Sequence, residues 1–200
     1  MSARSAELAA AAARLVVEEG MEYAGAKRKA MRSFGASEGR AQLPSSEAVE
    51  IEVRAYLALY CADTQPAELR ALRGLALRWM TRLAEFRPHL AGAAWRGTAT
   101  RLSSLHLDLY CDDPKIAEIA LINLGVAYDN ASGPMGRHGE PVNVLSIADT
   151  CLELGETVTL HLAVRDRDDL RGALKPDAQG RTWRGDATAL RRLLGDEPTP

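Results

Sequence analysis

The residues best suited to chemistry lie between Trp95 and Tyr110. An apolar segment, read as a strand, runs into Gly97-Thr98, a short polar turn follows, and Leu102–Cys111 then alternates strictly. Leu105, Leu107, Leu109 and Cys111 fall on one side, and Ser104, His106, Asp108 and Tyr110 on the other. That period of two is the mark of a strand with one buried face. A glycine at such a turn lets the backbone approach a phosphate, while the Thr98 hydroxyl and nearby N–H groups suit phosphate oxygens. Arg101 would offset the charge. Asp108 is a hard oxygen ligand for Mg²⁺ or Mn²⁺, and the His106 imidazole suits a general base or a phosphate-orienting group.

His161 sits on a second alternating segment, Thr157-Val158-Thr159-Leu160-His161-Leu162, sharing a face with the two threonines. If both strands belong to one sheet, Thr157, Thr159 and His161 join Ser104, His106 and Asp108 on its polar side. A group of His106, Asp108 and His161 would suit Zn²⁺ or another transition metal better than Mg²⁺. Gly133-Pro134-Met135-Gly136-Arg137-His138-Gly139 reads as a hairpin loop, since it lacks the Lys-Ser/Thr of a phosphate loop and the Gly-x-Gly of a dinucleotide turn. Arg165-Asp166-Arg167-Asp168-Asp169 reads as an exposed turn after the last strand. Lys27-Arg28-Lys29 with Arg32 follows Glu18, Glu19 and Glu22, the pattern of a solvated helical face with local ion pairs. No Gly-x-Ser-x-Gly elbow and no His-Glu-x-x-His helix occurs, so serine hydrolase and zincin chemistry lack support.

Helices must carry the first part of the chain. Leu8, Ala12, Leu15 and Val16 form one stripe at the helical period, and Gly20 stops it. Tyr23, Ala26, Ala30 and Phe34 mark a second helix before Gly35, and Ala36–Ser46 reads as a loop with Ser46 as the next N-cap. Val49, Val53, Tyr56, Leu57 and Tyr60 define a third helix. Leu69, Leu72, Ala76, Trp79, Met80 and Leu83 define a fourth, ended by Arg87-Pro88. Beyond Pro88 the period shortens. Asp113-Pro114 starts a short helix that Gly125 closes, Val126–Asp129, Val142–Ile147 and Thr157–Val164 read as strands, and Asp186 opens a last helix. The expected division is a helical region over 1–87, an α+β domain over 88–195 and a loose tail over 196–200.

The bulk properties exclude several classes. In 200 residues, 46% are hydrophobic and 26% charged, which suits a globular chain and not a disordered one. The net charge of −2 divides around residue 92 into a slight basic excess before it and an acidic excess after it, so nucleic acid is not the favoured partner. Cys61, Cys111 and Cys151 are dispersed and odd in number, which predicts reduced thiols in the cytoplasm and no disulfide framework. No segment reads as a membrane span, and Glu7 and Arg14 bracket the apolar run Leu8–Ala13 too closely for a signal peptide.

The Gly97-Thr98 turn followed by an alternating polar strand resembles the signature of the polymerase-β-like nucleotidyltransferase superfamily, in which the second strand carries Asp-x-Asp. With Gly97-Thr98 aligned, Ser104 and His106 stand where those acids belong, and Asp108 lies one repeat further on the same face. With Glu-Glu-Gly-Met at 18–21 and Lys-Arg-Lys at 27–29, the chain is similar to a narrower group of bacterial nucleotidyltransferase-like proteins with a degenerate Asp-x-Asp motif. The resemblance implies an α+β fold, an N-terminal helical segment packed on a small mixed sheet of nucleotidyltransferase type. It implies metal-dependent transfer of a nucleotide from an NTP to an acceptor the sequence does not identify, with Gly97, Thr98, Arg101 and Ser104 on the nucleotide and His106 and Asp108 in catalysis. The alternative is a non-catalytic module on the same fold that binds a nucleotide, an RNA or a protein.

Overall fold

A computed structural model describes residues 3–35, 43–136, 139–178 and 180–196. The chain forms two compact units. One comprises Met1–Pro66 with Thr100–Ser103, the other Ala67–Ala99 with Ser104–Pro200. The expected boundary near residue 87 follows the change of hydrophobic period, which marks a change of secondary structure and not of packing. The fourth helix carries its apolar stripe into the sheet unit, so the division falls at Pro66.

The first unit is helical: α1 (Ala3–Glu19), α2 (Tyr23–Ser33) and α3 (Ser46–Tyr60). Leu8, Ala12, Val16, Ala26, Ala30, Met31, Val49, Val53 and Leu57 meet in one core, so most of each stripe is buried, whereas Phe34, just past the end of α2, and Tyr60, the last residue of α3, are exposed. Gly20 ends α1 with φ 65°, and a side chain there would run into the Leu102 carbonyl. Only glycine fits that close approach, which fastens residues 100–103 to this unit. The cap of α3 is Ser45, one residue before the expected Ser46, its hydroxyl accepting from the Ala48 N–H at 3.0 Å. Lys29 of the basic cluster pairs with Glu19 at 2.5 Å.

The second unit is a six-stranded mixed sheet with helices: α4 (Gln65–Arg82, its body from Ala67), β1 (His89–Ala91), α5 (Gly92–Arg96), β2 (Leu105–Tyr110), α6 (Pro114–Asn123), β3 (Asp129–Met135), β4 (Pro141–Cys151), β5 (Glu156–Arg165), β6 (Arg184–Asp186) and α7 (Ala187–Asp196). The strand order is β3-β4-β5-β2-β1-β6. β2 and β5 are parallel and every other neighbouring pair is antiparallel. The parallel pair needs a long crossover, which α6 and the β3–β4 hairpin supply. Leu72, Leu75, Ala76, Trp79 and Leu83 of α4 form one core with Leu105, Leu107 and Leu109 of β2, Leu160 and Leu162 of β5, Leu145 and Ile147 of β4, Leu121 of α6 and Leu190 of α7. The alternate residues are left on the opposite face of the sheet.

Asp113 caps α6 at the Lys115 N–H with Pro114 in the first turn, as the sequence indicates. Asp186 likewise accepts from the Ala189 N–H at the start of α7. Three readings change. The apolar segment before Gly97 is a three-residue strand followed by the one-turn helix α5, because Trp95 turns inward to pack over Gly185. The strand expected at Val126–Asp129 lies instead at Asp129–Met135, so Gly133–Met135 belong to a strand and not to a loop. Within Gly133–Gly139, residues 137 and 138 lie outside the described residues, as do 36–42 of the loop before α3 and 197–200 of the tail. Among the described residues, no helix is long and apolar enough to cross a membrane.

Candidate functional site

Strand register assembles the polar face. β2 and β5 run in parallel with His106 beside His161, Asp108 beside Ala163 and Tyr110 beside Arg165. β1 adds His89 next to Asp108 and Ala91 next to His106, and β6 adds Asp186 next to His89 and Arg184 next to Ala91. β4 places Ser146 next to His161. The His106 and His161 ring centroids are 5.1 Å apart, the planes tilted by 33°. Ser146 Oγ lies 2.9 Å from His161 Nδ1, and Ser104 Oγ lies 3.4 Å from His106 Nε2. Both histidines are half-buried, so this part of the face reaches solvent.

Asp108 is the charged centre. Its side chain is 6% exposed and stands between two arginines. Arg165 donates through Nε to Oδ1 at 2.5 Å. Arg184 meets Oδ2 through Nη1 at 2.6 Å, an ion pair whose angle is too poor for a hydrogen bond. Nη1 also donates to the Tyr110 hydroxyl at 3.1 Å. Burial works against the Arg184 charge, but Asp108 and the Tyr110 hydroxyl outweigh it and hold the guanidinium above its ordinary value. Burial also raises the Tyr110 phenol, against the opposing hydrogen bond from Arg184.

This arrangement does not fit the expected metal sites. An Mg²⁺ or Mn²⁺ centre of the nucleotidyltransferase kind needs carboxylate oxygens turned toward the ion. Both Asp108 oxygens are turned to guanidinium groups, and Ser104 and His106 supply no second acid. The same pairing removes the carboxylate from the His106, Asp108 and His161 group considered for Zn²⁺, although the two histidines are adjacent. Among the described residues, no group of three or more His, Cys, Asp and Glu side chains is placed to hold a metal ion.

The Gly97-Thr98 turn is the C-terminal cap of α5. Gly97 adopts φ 81°, and its N–H and that of Thr98 both go to the Ala93 carbonyl. The buried Arg73 donates to the carbonyls of Ala94 at 3.0 Å and Trp95 at 3.3 Å, so a cation offsets the negative helix end. The turn amides are thus spent inside the protein. What remains is the Thr98 hydroxyl, 2% exposed as a residue and without a hydrogen-bond partner among the described residues. Arg101 belongs to the 100–103 segment of the helical unit.

Three residues of this face escape the sequence pattern: His89, Arg165 and Arg184. His89 is 4% exposed, packs edge-on to Tyr110 at 5.2 Å, and has Nδ1 2.8 Å from the Arg87 carbonyl. A carbonyl only accepts, so Nδ1 carries the proton. Burial lowers the His89 pKa, against the raising influence of that hydrogen bond and of Asp186 and Asp108. Arg87 holds its carbonyl in place from the left-handed region, at φ 47°, a conformation that costs a non-glycine residue on the order of 1 kcal/mol. Arg165 opens the run that the sequence presents as an exposed turn but is the last residue of β5, and Arg184 lies on a strand of three residues.

Arg165 also borders a cleft of about 360 Å³ beyond the carboxyl ends of β2 and β5, lined by Cys111, Asp112, Asn143, Asp166 and Asp169 among others. Carboxyl ends of parallel strands are common ligand positions. The three aspartates and Glu140 make the lining predominantly acidic around Arg165. Family models, curated proteins and solved structures return no match to this chain.

Proposed function

We propose that the chain is a non-catalytic binding module for a phosphate-bearing ligand, a nucleotide foremost, on a sheet of nucleotidyltransferase type whose metal pair has been replaced. The observation that carries this reading is the Arg165–Asp108–Arg184 cluster. Two guanidinium groups repel one another, and a carboxylate between them holds them side by side. Among the described residues, Arg165 meets Asp108 through Nε, and Arg184 meets Asp108 and Tyr110 through Nη1. Their remaining amino groups are the planar donor sets that suit phosphate oxygens. The two arginines and Asp108 together carry a net single positive charge. A metal-dependent transferase would need an acid where His106 or Ser104 stands.

Calorimetric titration of the full chain with ATP in the presence of a chelator tests the reading, alongside incubation of labelled NTPs with Mg²⁺ or Mn²⁺. Binding without a metal, weakened at least tenfold by Arg184→Met, and no nucleotide transfer are the expected results. Transfer of label to the protein, to RNA or to a lysate component would restore the enzyme reading.

A further inference from the structure

The sheet has one long open edge. β3 is its end strand, paired among the described residues with β4 alone, and every residue of it but Gly133 is exposed. Pro134 and a register break between Ser132 and Met135 protect its far half. Asp129–Ser132 is regular and carries neither device, so it offers main-chain N–H and C=O groups to a further strand. The other edge strand, β6, has three residues and leads straight into α7.

An apolar stripe adjoins the open edge. Lys115, Ile119 and Ile122 follow one another at i, i+4 and i+7 on α6, and the two isoleucines are 53% and 61% exposed. Glu118 lies between Lys115 and Ile122 on the helix surface. It accepts from the Asn130 amide of β3, the Asn143 amide of β4 and the Tyr128 hydroxyl. That flank of α6 therefore looks toward β3, and the stripe stands beside the edge on the core side of the sheet.

We infer that this edge is where the chain associates with a second copy of itself: β3 pairs antiparallel with β3 of the copy about a two-fold axis normal to the sheet. Such a contact is self-complementary and closes at two chains. The axis keeps each face of the sheet on its own side, so α6 and its copy lie on the same face, antiparallel, with their stripes turned toward one another. With Ala131 on the axis, Asn130 stands opposite Ser132 of the copy and Asp129 opposite Gly133, and no like charges meet across the ladder. α6 also has no basic residue in its last turn to offset the negative helix end, and the antiparallel arrangement directs Lys115 of the copy toward it. A second copy supplies a strand, an apolar stripe and a cation together, whereas an extended peptide supplies the strand alone.

Sedimentation velocity on the full chain over the micromolar range is the test. A concentration-dependent shift from the monomer mass toward twice that mass is expected. Ile119→Lys, at an exposed position, should weaken the association at least about tenfold, and Ala131→Pro should abolish it by blocking the edge. Ile51→Lys, at a comparably exposed isoleucine of α3 in the helical unit, should leave it unchanged. Should Ala131→Pro fail to fold by circular dichroism, Ile119→Lys decides. A chain that stays monomeric throughout, an association that survives in folded Ile119→Lys, or one that Ile51→Lys abolishes instead, would overturn the inference. Growth into ever larger oligomers would overturn it as well, because a two-fold contact stops at the dimer.

Discussion

Replacing Asp108 by Asn keeps the shape of the side chain and removes the charge that two arginines share. Each charge-assisted contact is worth about 1.5–3 kcal/mol where it is desolvated. The Arg165 and Arg184 side chains are 24% and 25% exposed, so both can turn partly toward water, and the loss must be discounted for that screening. Two guanidinium groups left together add a repulsion of the same order as the discount. The net expectation is a destabilisation of about 2–3 kcal/mol, read as a drop in the urea midpoint or a fall of about 5–10 °C in Tm. The double variant Asp108→Asn with Arg165→Met should lose less than the sum of the two single losses, by at least about 1 kcal/mol, because removing one arginine relieves the repulsion. Additive losses, or an Asp108→Asn protein as stable as the parent, would refute the assignment of the carboxylate to the arginines. A gain in Tm with Mg²⁺ that disappears in Asp108→Asn would place the carboxylate on a metal instead.

Three further outcomes follow from single observations. Because the folded His89 has a depressed pKa, the unfolded chain takes up the proton first as pH falls through about 6.5, so its contribution to stability is present above that value and lost below it. Urea unfolding at a series of pH values should show a shallower acid-side loss in His89→Gln than in the parent, and identical slopes would contradict it. Gly185→Ala would drive a methyl into the Trp95 ring, whose Nε1–H donates to the Thr182 carbonyl at 3.0 Å and so fixes its position. A loss of about 3 kcal/mol or more is expected from equilibrium unfolding. Cys151 is fully buried and its thiol is raised by that burial, so an aromatic disulfide reagent should modify Cys61 and Cys111 in the native protein well before Cys151.

Period carried most of the fold. The stripes on α1, α3 and α4 and the alternation on β2 and β5 are properties of the sequence, and the apolar core follows them except at Tyr60, while Asp108 and Tyr110 on the other side of β2 are buried as well. The shared polar face of His106, Asp108 and His161 needed one further fact, that β2 and β5 are parallel neighbours in register, and sequence separation does not encode that pairing. Short elements were the blind spot. His89 and Arg184 lie on strands of three residues, too brief to show alternation, and Trp95 sits on a single turn of helix that reads locally as strand. Gly97-Thr98 was found by type and spacing, but those say nothing of where its N–H groups go. Ala93 takes both of them, a consequence of α5 ending there.

On the proposed reading, two arginines pinned by Asp108, and not a metal, present the charge that binds the nucleotide. The most direct test is the titration of ATP into the parent chain and the Arg184→Met variant with a chelator present throughout. Saturable binding to the parent without metal and at least tenfold weaker binding to the variant are expected. Binding that appears only when Mg²⁺ or Mn²⁺ is restored, or that is indifferent to Arg184, would contradict it.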